Sequence, residues 1–193
     1  MNLPNRLSIL RICLVPLIIT LFLLDSVIPY SRLYATLVFI LAAITDFFDG
    51  YIARKYNLIT NLGKFLDSIA DKILVSSSLI LILLAAPTDY GFNIILAVAI
   101  IIILVRDLIV NNIRMLAASK NYIMAADIFG KAKTALQTIA IPMFMCARDL
   151  GGLFDFNYIY LYIGGFALFL ISLVLTIFSG IHYFVKGRAV IRD

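Results

Sequence analysis

Apolar residues run in six long stretches along the 193-residue chain: Ile9–Leu24, Leu33–Ile52, Ile69–Ala86, Phe92–Val110, Ala132–Cys146 and Tyr158–Val185. A helix rising ~1.5 Å per residue needs about 20 such residues to cross the ~30 Å hydrocarbon core of a bilayer. The pattern predicts an all-α integral membrane fold of six transmembrane helices. The first and fifth stretches are short, so their polar flanks extend into the headgroup layer. Pro4, just after a candidate cap at Asn2, predicts a short N-terminal interfacial helix ahead of the first span. The first stretch lacks a small-residue cleavage site and carries Arg11 within it, which reads as a retained span rather than a removed signal. Connections are short and no Gly/Ser linker occurs, so residues 1–193 read as a single membrane domain.

Composition agrees with the pattern. The chain is 63% hydrophobic and only 14% charged, with a mean hydropathy of +1.06. A soluble domain is nearer half apolar and a quarter charged, so a water-soluble fold is excluded. Charge then sets direction. Of the 16 Lys and Arg residues, all but Arg32 and Arg148 fall at one set of span ends. Basic residues collect on the cytoplasmic side, which predicts both termini in the cytoplasm. The net charge of +5 is thus a property of one membrane face, and no nucleic-acid partner is expected. Cys13 and Cys146 fall near opposite faces and lack metal-ligand spacing, and His182, near the end of the last span, is assigned no role.

The acidic residues change the picture most. All 11 are Asp, and four of them sit at the cytoplasmic ends of spans two and three. Ionisable groups at membrane depth are expensive unless they pair or face water, which makes each a candidate for function. Asp46 and Asp49 are spaced i,i+3, while Asp67 and Asp71 are spaced i,i+4, so each pair shares one helix face. The short connection predicts antiparallel neighbouring helices with the two pairs facing each other. Four clustered carboxylates repel unless protonated or neutralised by cations. Hard oxygen ligands in that number suit Mg²⁺, Mn²⁺ or Ca²⁺. Gly50, Ala53 and Gly63 leave room beside them for a bulky phosphorylated ligand. Arg54 adds a forked cation suited to phosphate oxygens, and Asn61 is a candidate cap for the third helix.

Written out, the segment reads Asp46-x2-Asp49-Gly50-x2-Ala53-Arg54-x8-Gly63-x3-Asp67-x3-Asp71. At average residue usage, a chance match to eight fixed positions is on the order of 10⁻¹⁰ per start site. Every fixed position resembles the signature of the CDP-alcohol phosphatidyltransferase family. The flanking stretches NLPNRLSILRICLVP (Asn2–Pro16), RDLIVNNIRMLAA (Arg106–Ala118) and GKAKTALQTIAIP (Gly130–Pro142) look like bacterial members that use glycerol 3-phosphate as acceptor. Two positions depart from that pattern: Ser68 stands where proline is common, and Asp107 where glutamate is expected.

The resemblance implies a homodimer in the bacterial cytoplasmic membrane with an active site open to the cytoplasm. It implies Mg²⁺ or Mn²⁺ as cofactor, a pair of ions per site, bound by Asp46, Asp49 and Asp67, with Asp71 as base and further metal contact. Gly50, Ala53, Arg54 and Gly63 then bind CDP-diacylglycerol. For the acceptor, Arg106 and Arg114 lie eight apart on span four and Lys131 and Lys133 begin span five. Together they are the candidate site for the phosphate of glycerol 3-phosphate. Inositol phosphate, serine or phosphatidylglycerol are alternative acceptors for the same chemistry. A cation transporter is the rival from another class, disfavoured because the acids gather near one face and the other spans offer little polar lining.

Overall fold

A computed structural model describes the backbone of residues 3–56, 60–86, 90–120 and 127–191; within those ranges the side chains of 3, 4, 47, 49–54, 61, 64, 90, 91 and 187–191 lie outside the description. The described residues form helices only. They are α1 (Leu3–Leu23), α2 (Ser31–Lys55), α3 (Asn61–Ala85), α4 (Tyr90–Ser119), α5 (Ile128–Phe154) and α6 (Ile159–Ile191). Four of them carry stretches long and apolar enough to cross a membrane: Asn5–Leu23, Phe65–Ala85, Phe92–Ser119 and Ile159–Lys186. The chain is therefore an all-α, multi-pass membrane protein. Helices α2 and α5 form where the apolar pattern places them, but they are more polar. Arg32, Asp46, Asp49, Arg54 and Lys55 interrupt α2, and Lys131, Lys133, Arg148 and Asp149 interrupt α5.

The helices outrun the predicted stretches at several ends. The 30 residues of α4 and the 33 of α6 reach about 45 and 50 Å, more than the hydrocarbon core requires. At the N-terminus one helix runs unbroken from Leu3 to Leu23, so the expected separate interfacial helix is instead the first turn of α1. Pro4 is tolerated there because the first turn has no intrahelical use for its missing N–H. Large apolar side chains stay exposed along α4, among them Ile94, Ile95, Val98, Ile101, Val105 and Leu108. That is the surface lipid would cover.

The chain folds as two compact units. Unit 1 comprises residues 1–85 and 141–162, hence α1 to α3, the second half of α5 and the start of α6. Unit 2 comprises residues 86–140 and 163–193, with α4, the first half of α5 and most of α6.

In unit 1, α1 packs against both α2 and α3, whereas among the described residues α2 and α3 touch each other over only a short stretch. The two aspartate-bearing helices meet there, with Asp46 of α2 close to Asp67 of α3, and α1 packs along both of them. Its packing face explains why. Asn5, Ser8, Arg11, Val15, Ile18 and Phe22 are all buried at helical spacing. That stripe is polar in its first half and apolar in its second. The apolar half packs, while in the polar half Asn5 meets Thr60 and Arg11 meets the aspartates.

Several hydroxyls inside the helices are satisfied locally. Thr36 donates to the Arg32 carbonyl at 2.7 Å, Ser78 to Leu74 at 2.8 Å and Thr176 to Ser172 at 2.6 Å. Such back-bonding lets small polar residues serve at helix contacts without an unpaired group in an apolar setting.

The turn from α5 to α6 folds tightly over Gly151. The Phe156 N–H donates to the Gly151 carbonyl at 3.2 Å, and Asp155 adopts φ 52°, a left-handed value that Asp tolerates better than most residues. A Cβ on Gly151 would stand 2.8 Å from Tyr158 Cβ and 3.0 Å from the Phe156 carbonyl oxygen. Neither atom can swing aside. Gly151→Ala is therefore expected to cost about 1–3 kcal/mol through overpacking. A lowered thermal midpoint in detergent would register it, and an unchanged midpoint would show that this turn yields freely.

Candidate active site

Two helices of unit 1, α2 and α3, carry the signature aspartates. On α2 the buried series Ala35, Phe39, Ala42 continues at helical spacing into Asp46. On α3 the series Ala85, Ile82, Ser78, Leu74, Ala70 continues back to Asp67. The face that packs along the rest of each helix thus carries carboxylates at its end. Asp46 and Asp67 have side chains 40% and 53% exposed, and they lie close enough to repel one another.

Between them comes Arg11 of α1. Its side chain is completely buried. One guanidinium nitrogen, Nη1, donates to Asp46 Oδ1, and the other, Nη2, lies 3.4 Å from Asp67 Oδ1. One cation from α1 therefore joins a carboxylate of α2 to a carboxylate of α3. Asp71, one turn along α3 from Asp67, is half-buried. Asp49, Gly50, Ala53 and Arg54 are within α2, but their side chains lie outside the described residues.

The start of α3 is also built against α1. Thr60 caps the helix: its Oγ1 accepts from the Gly63 N–H at 3.0 Å. That corrects the expected cap at Asn61, which is instead the first helical residue. A hydroxyl one residue earlier reaches the N–H at the third helical position, the geometry an N-cap requires. A Cβ on Gly63 would fall 2.5 Å from Asn5 Oδ1, and Asn5 is buried. The space left by Gly63 is thus shared with the Asn5 carboxamide, a neighbour the sequence reading did not foresee.

Unit 2 holds the expected acceptor cations. Arg106 Nη1 donates to Asp107 Oδ1 at 2.9 Å, and Lys133 Nζ donates to the same oxygen. Arg106 Nη2 donates to Ser179 Oγ. Its guanidinium lies 5.8 Å from the centre of the Tyr183 ring. A Cβ on Gly180 would come within 3.1 Å of Arg106 Cγ, so α6 is kept small where Arg106 crosses it. Tyr183 in turn accepts the Asp127 backbone N–H on its hydroxyl at 2.8 Å. Arg106 and Lys133 are thereby brought together. Arg114 and Lys131 are exposed, and no ion pair joins either to Asp107. Lys131 and Lys133, two apart on α5, point in different directions, as helical spacing requires.

The model of the CDP-alcohol phosphatidyltransferase family matches residues 1–178. The chain belongs to this family. Its relatives match over nearly their whole length. A protein of Rickettsia bellii named CDP-diacylglycerol–glycerol-3-phosphate 3-phosphatidyltransferase is 40% identical over 183 residues, covering 95% of this chain and 93% of the relative. Proteins of the same name from Bacillus subtilis and Escherichia coli K12 are 35% and 30% identical. They cover 96% and 100% of this chain, and 95% and 98% of their own lengths.

For a CDP-alcohol phosphatidyltransferase the fit of a divalent ion can be judged from the donors. Asp46 and Asp67 present hard carboxylate oxygens from two helices, partly open to solvent, with a buried counter-charge on one side. That chemistry suits Mg²⁺ or Mn²⁺. Among the described residues no group of three acids, histidines or cysteines converges, and Asp49, the expected third ligand, lies outside them. Two groups of residues were missed from sequence: Arg11, and the set Ser179, Gly180 and Tyr183. For Arg11 the signal was present, because an arginine within an apolar run must find a partner. For the α6 residues no spacing marks them apart from ordinary small packing positions.

Proposed function

We infer that this chain transfers the phosphatidyl group of CDP-diacylglycerol to glycerol 3-phosphate, giving phosphatidylglycerophosphate and CMP. The observation that carries this reading is the end-to-end match, at 30–40% identity, to relatives named for that reaction. The Asp46–Asp71 signature supports the CMP half of the chemistry, and the basic residues of unit 2 support the acceptor half.

The mechanism follows from the residues. The acceptor hydroxyl attacks the phosphorus that bears diacylglycerol, a new P–O bond forms, and the bond to the bridging oxygen breaks so that CMP leaves. Asp71 takes the hydroxyl proton, the role a carboxylate within hydrogen-bond reach can fill. Asp46, Asp49 and Asp67, with Asp71 as a further contact, would hold a pair of divalent ions. When bound, such ions supply Lewis-acid stabilisation of charge on the phosphoryl oxygens and on departing CMP. Arg54, beside Gly50 and Ala53, is assigned to the diphosphate, and Gly63 to the room the nucleotide needs.

Arg106, Lys133, Arg114 and Lys131 are assigned to the acceptor phosphate. Convergence of the first two on one Asp107 oxygen supports an anion-directed site, since both cations are held there ready to meet a second negative group. The excess of Lys and Arg at one set of helix ends supports six spans with both termini and the active site on the cytoplasmic side. A homodimer follows from the resemblance alone.

The acceptor assignment has its own test. Arg114→Ala and Lys131→Ala remove exposed charges and leave the Asp107 pairs intact. If they touch the acceptor, each raises its KM while the KM for CDP-diacylglycerol stays put. A charge-assisted hydrogen bond contributes about 1.5–3 kcal/mol, so kcat/KM for glycerol 3-phosphate should fall roughly 10- to 150-fold. Reduced membrane insertion with an unchanged acceptor KM would make these residues topology anchors. Among acceptors, unphosphorylated glycerol should react poorly because it leaves the basic site unpaired. Equal turnover with serine or inositol phosphate would reassign the acceptor and leave the CMP chemistry standing.

A further inference from the structure

We propose that Arg11 is a positioning residue for the ion site, fixing Asp46 and Asp67 from behind so that the two carboxylates hold one geometry before an ion arrives. The inference rests on the reading of those aspartates as metal ligands and adds a role for α1, whose residues that reading leaves out.

Three observations carry it. Arg11 lies within the apolar stretch Asn5–Leu23 and is wholly buried, while both of its carboxylate partners are 40% or more exposed. The cation is therefore at the back and the acids are in front. Second, Nη1 reaches Asp46 and Nη2 reaches Asp67, so the two nitrogens of one guanidinium hold carboxylates of two different helices. Third, a guanidinium is a planar fork with several donors in fixed directions, so one arginine can orient two carboxylates on two helices at once.

Stability alone does not account for the arrangement. A buried ion pair is commonly no better for folding than apolar residues of the same size. A wholly buried arginine that spans two other helices serves orientation instead. Partners that orient metal ligands from outside typically change metal affinity or activity 10–100-fold when lost. The guanidinium also offsets repulsion between the two carboxylates while no ion is bound.

The experiment is Mn²⁺ binding, followed by electron paramagnetic resonance, on detergent-purified wild type, Arg11→Gln and Arg11→Lys, with circular dichroism to check folding. Wild type should bind Mn²⁺. Folded Arg11→Gln should bind it roughly 10–100-fold more weakly. Raising Mn²⁺ should recover much of the lost turnover, and at saturating Mn²⁺ the KM for CDP-diacylglycerol should match the wild type, a recovery that a purely structural defect would not show. Arg11→Lys keeps the charge but not the fork, so its affinity should fall between the two. If Arg11→Gln does not fold, Arg11→Lys decides, and wild-type affinity in it overturns the proposal. Equal or tighter binding in Arg11→Gln also overturns it, because Arg11 would then be inert or a mere competitor of the ion. Failure of the wild type to bind Mn²⁺ is a different result: it removes the metal reading itself.

Discussion

Asp67→Asn is expected to lower phosphatidyl transfer roughly 10²–10³-fold, the loss that several kcal/mol of ion-derived stabilisation of the phosphoryl charge implies. Asn retains an oxygen that can accept from Arg11, and Asp46 continues to pair with the same guanidinium. The joint between α1, α2 and α3 should therefore survive the substitution, and the loss should be one of chemistry rather than folding. Asp46→Asn should behave alike, since its partner Asp67 also lies against Arg11, at 3.4 Å. EDTA should abolish wild-type activity and excess Mg²⁺ or Mn²⁺ should restore it. Turnover that persists fully in chelator would end the metal account for all of these residues at once.

Asp71→Asn should have an effect of about 10²–10⁴-fold on turnover, the usual contribution of a positioned general base. Its signature differs from that of the ligand variants. A base acts on the acceptor hydroxyl, so binding of CDP-diacylglycerol should be little changed while kcat collapses. Nucleotide-lipid affinity measured in the presence of metal separates the two cases. If Asp71→Asn loses that affinity as Asp67→Asn does, then Asp71 is chiefly a metal ligand and the proton goes elsewhere.

Much of this was legible in the sequence because two signals are strong: long apolar runs and carboxylates where carboxylates are costly. The runs located six helices to within a few residues at many ends. They fell short at α4 and α5, because helix continues past the last apolar residue wherever no breaker stops it, through Asn111 and Asn112 in α4 and through Arg148 and Asp149 in α5. Hydropathy reads the bilayer, not the hydrogen-bond ladder.

The site was legible in its parts and not in its arrangement. Helical spacing placed Asp46 with Asp49 and Asp67 with Asp71, since i,i+3 and i,i+4 neighbours share a face by geometry. Which helices meet is a matter of packing, and chain proximity tells only part of it. The short connection placed Asp46 near Asp67, but it did not show that α1 presents the buried stripe that packs on both helices. Arg11 was visible only as an anomaly in an apolar run. In unit 2, Arg106 and Lys133 both reach Asp107, and that this acid joins them could not be read from a spacing of 26 residues across two helices.

The most direct measurement of the central claim is CMP release from CDP-diacylglycerol by the purified protein, followed together with the lipid product. With Mg²⁺ or Mn²⁺ and glycerol 3-phosphate present, CMP and phosphatidylglycerophosphate should appear in equal amounts. Omitting either the acceptor or the metal should stop both. CMP formed at the same rate without an acceptor would mean hydrolysis rather than transfer. If no CMP forms under any condition while the protein conducts divalent ions in vesicles, the account is contradicted and the acidic cleft belongs to a transporter.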